Sequence, residues 1–377
     1  MFMRNSTHLT RLFVLTLSLM LLGPARAGLN EGMAAAQKGD FKTALHEWLP
    51  LAKKGNPAAQ FQLGWLCEFG QGLPLDYKAA ADWYRKAAEH GHPQAQVNLG
   101  RLLEMGLGVP QDYKAATHWY RKAAEQGNAF ARNSLGELYA SGRGGEKDLE
   151  AAANWYRMAA EQGDAFAQNK LATMYLFGNG VTQDAVIAVS WYRKAAEQGD
   201  ADSQIALGAL YTVGQGIPPD YKTAIDWYRK AAEQGNPKAW FRLGAMHEAG
   251  LGTAQDEKAA MGWYRKAAEH GWAEAQFALG KMYADGRGAP QDYKAAVDWY
   301  RKAAESGNTN ALNNLGMMYE KGLGVDADIV QAHKWYSLAA NNGLGTASVN
   351  RQRLEAQMTA EQLDLIKESA RGLQADQ

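Results

Sequence analysis

The chain has 377 residues, 46% of them hydrophobic, with 40 basic against 40 acidic side chains and a single cysteine, Cys67. The charge balance gives no global attraction to nucleic acid or anionic lipid. One thiol cannot form an intrachain disulfide, so stability has to come from packing.

In chain order, Arg4 and Arg11 flank the start of an apolar run, Leu12 to Leu22, and small residues Ala25 and Ala27 follow. That order predicts a secretory signal peptide over residues 1–27. The run is shorter than the roughly 20 residues a spanning helix needs. No stable membrane span is therefore expected after cleavage, and the mature chain is expected in the periplasm or secreted. The cut removes Arg4, Arg11 and Arg26 and no acid, leaving 40 − 3 = 37 bases against 40 acids. Residues 28–55 include "ALHEWLPLAKKGN", which reads as a degenerate helix and predicts an N-terminal capping half-repeat.

From Asn56 to Gly343 the chain repeats. Trp83, Trp119, Trp155, Trp191, Trp227, Trp263, Trp299 and Trp335 are each 36 residues apart, which marks eight ungapped units. Numbering Asn56, His92, Asn128 and their equivalents as position 1, each unit predicts one helix over positions 2–14 and a second over 22–35. Gly closes each unit, and Asn or Asp usually follows as a helix cap. A Gly-x-Gly such as Gly106-Leu107-Gly108 separates the helices, then an Asp (Asp76, Asp112 and so on) stands ready to cap the second. A phosphate loop is a poor reading of these glycines, because such a loop follows a strand and here a helix precedes it. Leu at position 8 with apolar residues at 11 and 12 forms the buried stripe of the first helix. Ala at 25, 32 and 33 permits close helix contact in the second. The nonapeptide "WYRKAAEQG" at 119–127, 191–199 and 227–235 closes that second helix, and its Arg and Glu, four residues apart, read as a solvent face.

These residues, Ala-x-x-x-Leu-Gly, Gly-x-Gly, Asp and "WYRKAAEQG", resemble the Sel1-like repeat, a relative of the tetratricopeptide repeat. The resemblance implies an all-α fold, a right-handed superhelical solenoid of antiparallel helix pairs. It also implies an adaptor that holds a protein or peptide on its concave side, the partners being envelope regulators, polysaccharide-export components or host proteins. Residues 344–377 are expected as C-terminal capping helices, with Thr359 and Gln362 at capping-box spacing and Met358 and Leu363 at hydrophobic-staple spacing.

Catalytic motifs are missing from the sequence: there is no Gly-x-Ser-x-Gly, His-Glu-x-x-His or Cys-x-x-Cys. Some secreted relatives are described as β-lactamases or penicillin-binding proteins, but no Ser here has a Lys three residues on, and the cysteine pairs of those relatives are missing. No enzyme and no cofactor is expected. A cell-wall or β-lactam enzyme and a glycan-binding module stand as the alternatives. His90 and His92 flank Gly91 at a helix boundary without a third ligand, so no metal is expected there. The mixed charges at positions 30–34 argue against a nucleic-acid ladder.

Subtracting the repeat consensus isolates candidate contacts. All 17 Tyr fall at positions 12, 22 or 29, whereas every Phe beyond Phe41 lies at position 3, 6 or 14 of a first helix. Positions 3, 6, 10, 13 and 14 point about 120–160° from the buried stripe, so these rings are expected to leave their own pair's core. The predicted partner-binding face is Phe61, Trp65, Phe69, Phe130, Phe166, Phe177, Phe241 and Phe277, with Arg101, Glu137, Arg242 and Lys281 supplying charge.

Overall fold

The protein is described by a computed structural model covering residues 24–366, so most of the expected signal peptide and the tail from 367 lie outside the described residues. Among the described residues every regular element is a helix. The nineteen helices run from α1 to α19, and a last one starts at Ala360. None of them is long and apolar enough to cross a membrane. The chain divides into two compact units, with the division between Trp155 and Tyr156.

The first unit opens with α1 (Pro24–Gln37) and α2 (Phe41–Lys53), then stacks α3 (Pro57–Phe69) with α4 (Tyr77–Glu89) and α5 (Pro93–Met105) with α6 (Tyr113–Glu125). It ends with α7 (Ala129–Ser141) and the first turns of α8 (Leu149–Ala160). The segment 28–55, expected as a half-repeat, holds α2 and most of α1, which packs on it. Trp48 of α2 is fully buried and donates its indole N–H to the Leu29 carbonyl at 3.2 Å.

The second unit carries α9 (Ala165–Phe177) with α10 (Ala185–Glu197), α11 (Ala201–Val213) with α12 (Tyr221–Glu233), and α13 (Pro237–Ala249) with α14 (Glu257–Glu269). It continues with α15 (Ala273–Asp285) and α16 (Tyr293–Glu305), α17 (Thr309–Lys321) and α18 (Ile329–Asn341), and α19 (Gly345–Glu355). The predicted capping box is present beyond α19: the Thr359 amide donates to Gln362 Oε1 at 2.9 Å and the Gln362 amide to Thr359 Oγ1 at 3.2 Å.

Local chemistry sets the helix limits. Asn56 Oδ1 accepts from the Ala59 amide and Asp76 Oδ1 from the Ala79 amide, satisfying donors that the first turn leaves free. At the other end Gly106 takes φ +69° and returns its amide to the Leu102 carbonyl. The second glycine of Gly-x-Gly serves the stack. A Cβ on Gly108 would lie 2.3 Å from the carbonyl carbon of Tyr77, at the start of the preceding repeat's second helix.

The Leu-Gly pair at positions 8 and 9 has an equally direct cause. Tyr at position 29 lies flat over the glycine: a Cβ on Gly64 would come within 2.6 Å of the Tyr84 ring, and one on Gly208 within 2.5 Å of the Tyr228 ring. These tyrosines are buried, as are the alanines at positions 25 and 32 in every repeat.

"WYRKAAEQG" is less of a solvent face than its charges suggest. Arg121 donates to Tyr139 Oη at 2.5 Å, and Arg265 to Tyr283 Oη at 2.8 Å, so where position 12 of the next repeat is Tyr the Arg at position 30 ties the two repeats together. Arg85 and Arg229, facing Leu103 and His247 there, pair instead with Asp82 and Asp226 of their own helices. Lys at position 31 lies over the Trp ring three residues earlier, as Lys194 does over Trp191 at 3.9 Å, a contact worth about 0.5–1 kcal/mol at an exposed site. The closing Gln also bridges: Gln126 Nε2 donates to Gln96 Oε1, and Gln96 Nε2 to the Ala88 carbonyl. The expected Arg–Glu pairing gives way because the next repeat presents a better-placed acceptor.

Candidate protein-binding face of the first helices

The predicted aromatics fall into two groups. Phe61, Phe241 and Phe277, at position 6, do not leave their own pair. Each lies on the position-29 tyrosine of its own repeat, with ring centroids 5.7 Å from Tyr84, 5.4 Å from Tyr264 and 5.8 Å from Tyr300. The expectation fails there because the tyrosine that packs on the glycine at position 9 also meets the ring at position 6, the two planes tilted by 35–38°. Phe61 is further covered by His92, stacked at 4.7 Å.

The rings at positions 3 and 14 do face outward. Phe130 rests edge-on against Tyr120 at 6.3 Å and stays 52% exposed. Phe166 rests likewise on Tyr156, with the Lys170 ammonium 4.9 Å from its ring. Phe69 and Phe177 are 52% and 64% exposed. Trp65 is half-buried between Phe41 at 6.1 Å and Phe69 at 5.4 Å, which makes a three-ring cluster in the first unit. Arg242, Lys281 and Glu137 are exposed, whereas Arg101 is half-buried and engaged in an ion pair.

That ion pair belongs to a recurring motif. Glu68 is only 4% exposed; it accepts a hydrogen bond from Tyr84 Oη at 2.6 Å and an ion pair from Arg101 of the next repeat. Glu248 takes Tyr264 at 2.6 Å and Arg287 at 2.8 Å, and Glu320 takes Tyr336 at 2.7 Å and both guanidinium nitrogens of Arg353. Burial pushes the Glu248 carboxyl up, but the bonds from Tyr264 and Arg287 outweigh it and hold the group below its usual range. Burial, reinforced by the Glu68 charge, drives the Tyr84 phenol far above its ordinary value. Sequence reading passed over these acids, although Glu stands at position 13 in four of the eight repeats.

The two histidines at the first repeat boundary have structural work. His90 Nδ1 meets the Lys86 carbonyl at 2.8 Å, and His92 Nδ1 accepts the Ala95 amide at 3.2 Å, standing in for the capping Asn of other repeats. Among the described residues no group of three or more His, Cys, Asp or Glu is placed to hold a metal. Burial holds the His92 pKa below its ordinary value, so the folded protein binds this proton less readily than the unfolded chain. The cap's contribution is present above the unfolded pKa of about 6.5 and is lost as pH falls below it. His92→Asn is therefore expected to keep the neutral-pH melting temperature and to flatten its decline as pH falls below about 6.5. Parallel melting curves for the two proteins across that range would refute the assignment.

A comparison with protein families matches the Sel1 repeat eight times, consecutively from 57–92 to 309–344. The chain belongs to the Sel1 repeat family. A Sel1 repeat protein from Oxalobacter formigenes has a similar solved structure, 31% identical, with a TM-score of 0.70 over 92% of this chain and 98% of that one. Another is c5321, a protective antigen of uropathogenic Escherichia coli with an SLR fold, 33% identical over 92% and 90% of the two chains, TM-score 0.45. No curated protein matches the chain. Sel1 repeat proteins generally mediate protein–protein interaction, and their solenoid is typically non-catalytic.

Within this Sel1 array the outward apolar positions include residues that a search for phenylalanine alone misses. Met105 and Val213 occupy position 14 one repeat after Phe69 and Phe177, and both are exposed. The sequence signal was there: position 14 is large and apolar in repeats 1, 2, 4 and 5 and small or polar in the others.

Proposed function

We propose that this protein is a non-enzymatic scaffold of the cell envelope, periplasmic or secreted, that holds a protein or peptide on the outward face of its first helices. The observation that carries this reading is the exposure of large apolar side chains at the ends of successive first helices: Phe69 and Met105 in one unit, Phe177 and Val213 in the other. A scaffold needs only spacing from its first helices. Apolar side chains left in water at repeated positions lose favourable burial and, beside charges, have the character of interface anchors. The signal-peptide signature of residues 1–27 supports export.

The experiment is capture by the mature protein from its own envelope extract, with crosslinking and mass spectrometry. Phe69→Ser combined with Phe177→Ser is expected to leave helicity and melting temperature nearly unchanged and to reduce recovery of the crosslinked protein about tenfold or more, as for loss of anchor residues. Undiminished recovery, or a large fall in melting temperature, would count against these residues as anchors.

A further inference from the structure

We propose that the groove at the start of α18 is a seat for the chain's own segment Arg371 to Asp376, whose glycine docks there as the glycine of one repeat docks on the repeat before it. The seat recurs along the array. Gly108 sits on Tyr77, Gly216 on Ala185 and Gly324 on Tyr293; their φ values lie between +69° and +73°, and a Cβ on any of them would fall 2.3–2.4 Å from the carbonyl carbon beneath. Tyr77, Ala185 and Tyr293 are each the first residue of a second helix, and in each case the glycine comes from the repeat that follows. The corresponding residue of α18 is Ile329, and among the described residues no glycine lies on it. A groove of about 710 Å³ opens there instead, lined by Val325, Asp326, Ile329 and Val330 and, from the last helix, by Gln362 and Leu365. Leu365 is 51% exposed, which leaves apolar surface at the rim.

The sequence names the occupant. Gly372-Leu373-Gln374-Ala375-Asp376 repeats the order of glycine, apolar residue, two others and aspartate that the docking loops carry, as in Gly324-Val325-Asp326-Ala327-Asp328 and Gly108-Val109-Pro110-Gln111-Asp112. It stands 48 residues after Gly324 rather than 36, since both α19 and the last helix precede it. Reach is sufficient: Gly372 is six residues past Ile366, a span of up to about 20 Å when extended, and the helix leading to it already lines the groove through Leu365. Charge is matched as well. Arg287, which precedes Gly288, lies 3.7 Å from Oε1 of Glu257, the first residue of α14. Arg371 precedes Gly372 in the same way, and Asp326 offers an exposed carboxylate on the groove wall. The seat demands glycine because any side chain would press on backbone that cannot rotate away. Once seated, the segment covers the apolar wall that a following repeat's loop covers elsewhere in the stack.

The test uses the full chain with the photocrosslinker p-benzoylphenylalanine in place of Gln374. Irradiation is expected to join it to residues 325–330 of the same molecule, read by mass spectrometry of the monomer band. Gly372→Val should lower that yield about tenfold, because the seated glycine takes a left-handed φ that an L side chain adopts only at a cost. Asp326→Lys should lower it about two- to fivefold, the range for an exposed ion pair, and adding Arg371→Glu should restore it. Helicity and melting temperature of all the variants should stay close to those of the parent, since each change lies at the rim. Absence of a link to 325–330, or a yield indifferent to Gly372→Val, would overturn the assignment. A link found only between two molecules would overturn it too, since the occupant would then be a second copy of the chain.

Discussion

Gly108→Ala is expected to destabilise its part of the array by about 2–5 kcal/mol, against about 1–2 kcal/mol for Gly91→Ala. Both glycines have positive φ, +69° and +82°, so each substitution places an L side chain in the left-handed region at about 1–2 kcal/mol. Around Gly91 a Cβ meets nothing within 4 Å. Around Gly108 it would lie 2.3 Å from the Tyr77 carbonyl carbon and 2.4 Å from the Lys78 nitrogen, both backbone atoms at the start of α4. Neither can rotate away, so overpacking adds about 1–3 kcal/mol. Since each repeat contacts mainly its neighbours, hydrogen exchange should quicken in α4 to α6 in Gly108→Ala and hardly change in the second unit. Equal losses in the two variants would mean that Gly-x-Gly serves only to end the first helix.

Arg101→Met should cost about 3–5 kcal/mol, the expense of leaving a buried carboxylate without its cation. Glu68 has almost no access to water and keeps only the Tyr84 hydroxyl once the guanidinium is gone. Adding Glu68→Gln removes the stranded charge while retaining an acceptor for Tyr84, and should recover more than half of the loss. The two effects should be strongly non-additive, because both residues belong to one contact. Urea unfolding of the two single variants and the double variant completes the cycle. Additive losses would show that the triad is three independent contacts.

The legibility of the fold in the sequence follows from which interactions are local. Helix limits were predicted almost to the residue, α3 running over positions 2–14 of its repeat and α4 over 22–34. Caps and left-handed glycines act within four residues of the helix end, so spacing along the chain reports them faithfully. Charges were read less well. Arg121 has a Glu four residues on, yet it bonds Tyr139, which is 18 residues away. Of the candidate face, Phe69, Phe130, Phe166 and Phe177 were placed correctly by angle alone. Phe61, Phe241 and Phe277 were not, because a helical wheel shows direction from one axis and says nothing of what the partner helix extends into that direction.

The sequence by itself determined the all-helical class, the eight 36-residue units, their caps and the family, since each depends on periodicity or on short-range geometry. The roles of Gly108 and of the glycines under the tyrosines, the use of Arg as a tie between repeats, and the burial of Glu68 were decided only by the tertiary structure. These are distances between atoms 16 to 33 residues apart in the chain. They exist only once the two helices of a repeat have packed and one repeat has docked on the next, and that packing turns a tolerated glycine into a required one and an ordinary glutamate into the centre of a charged contact.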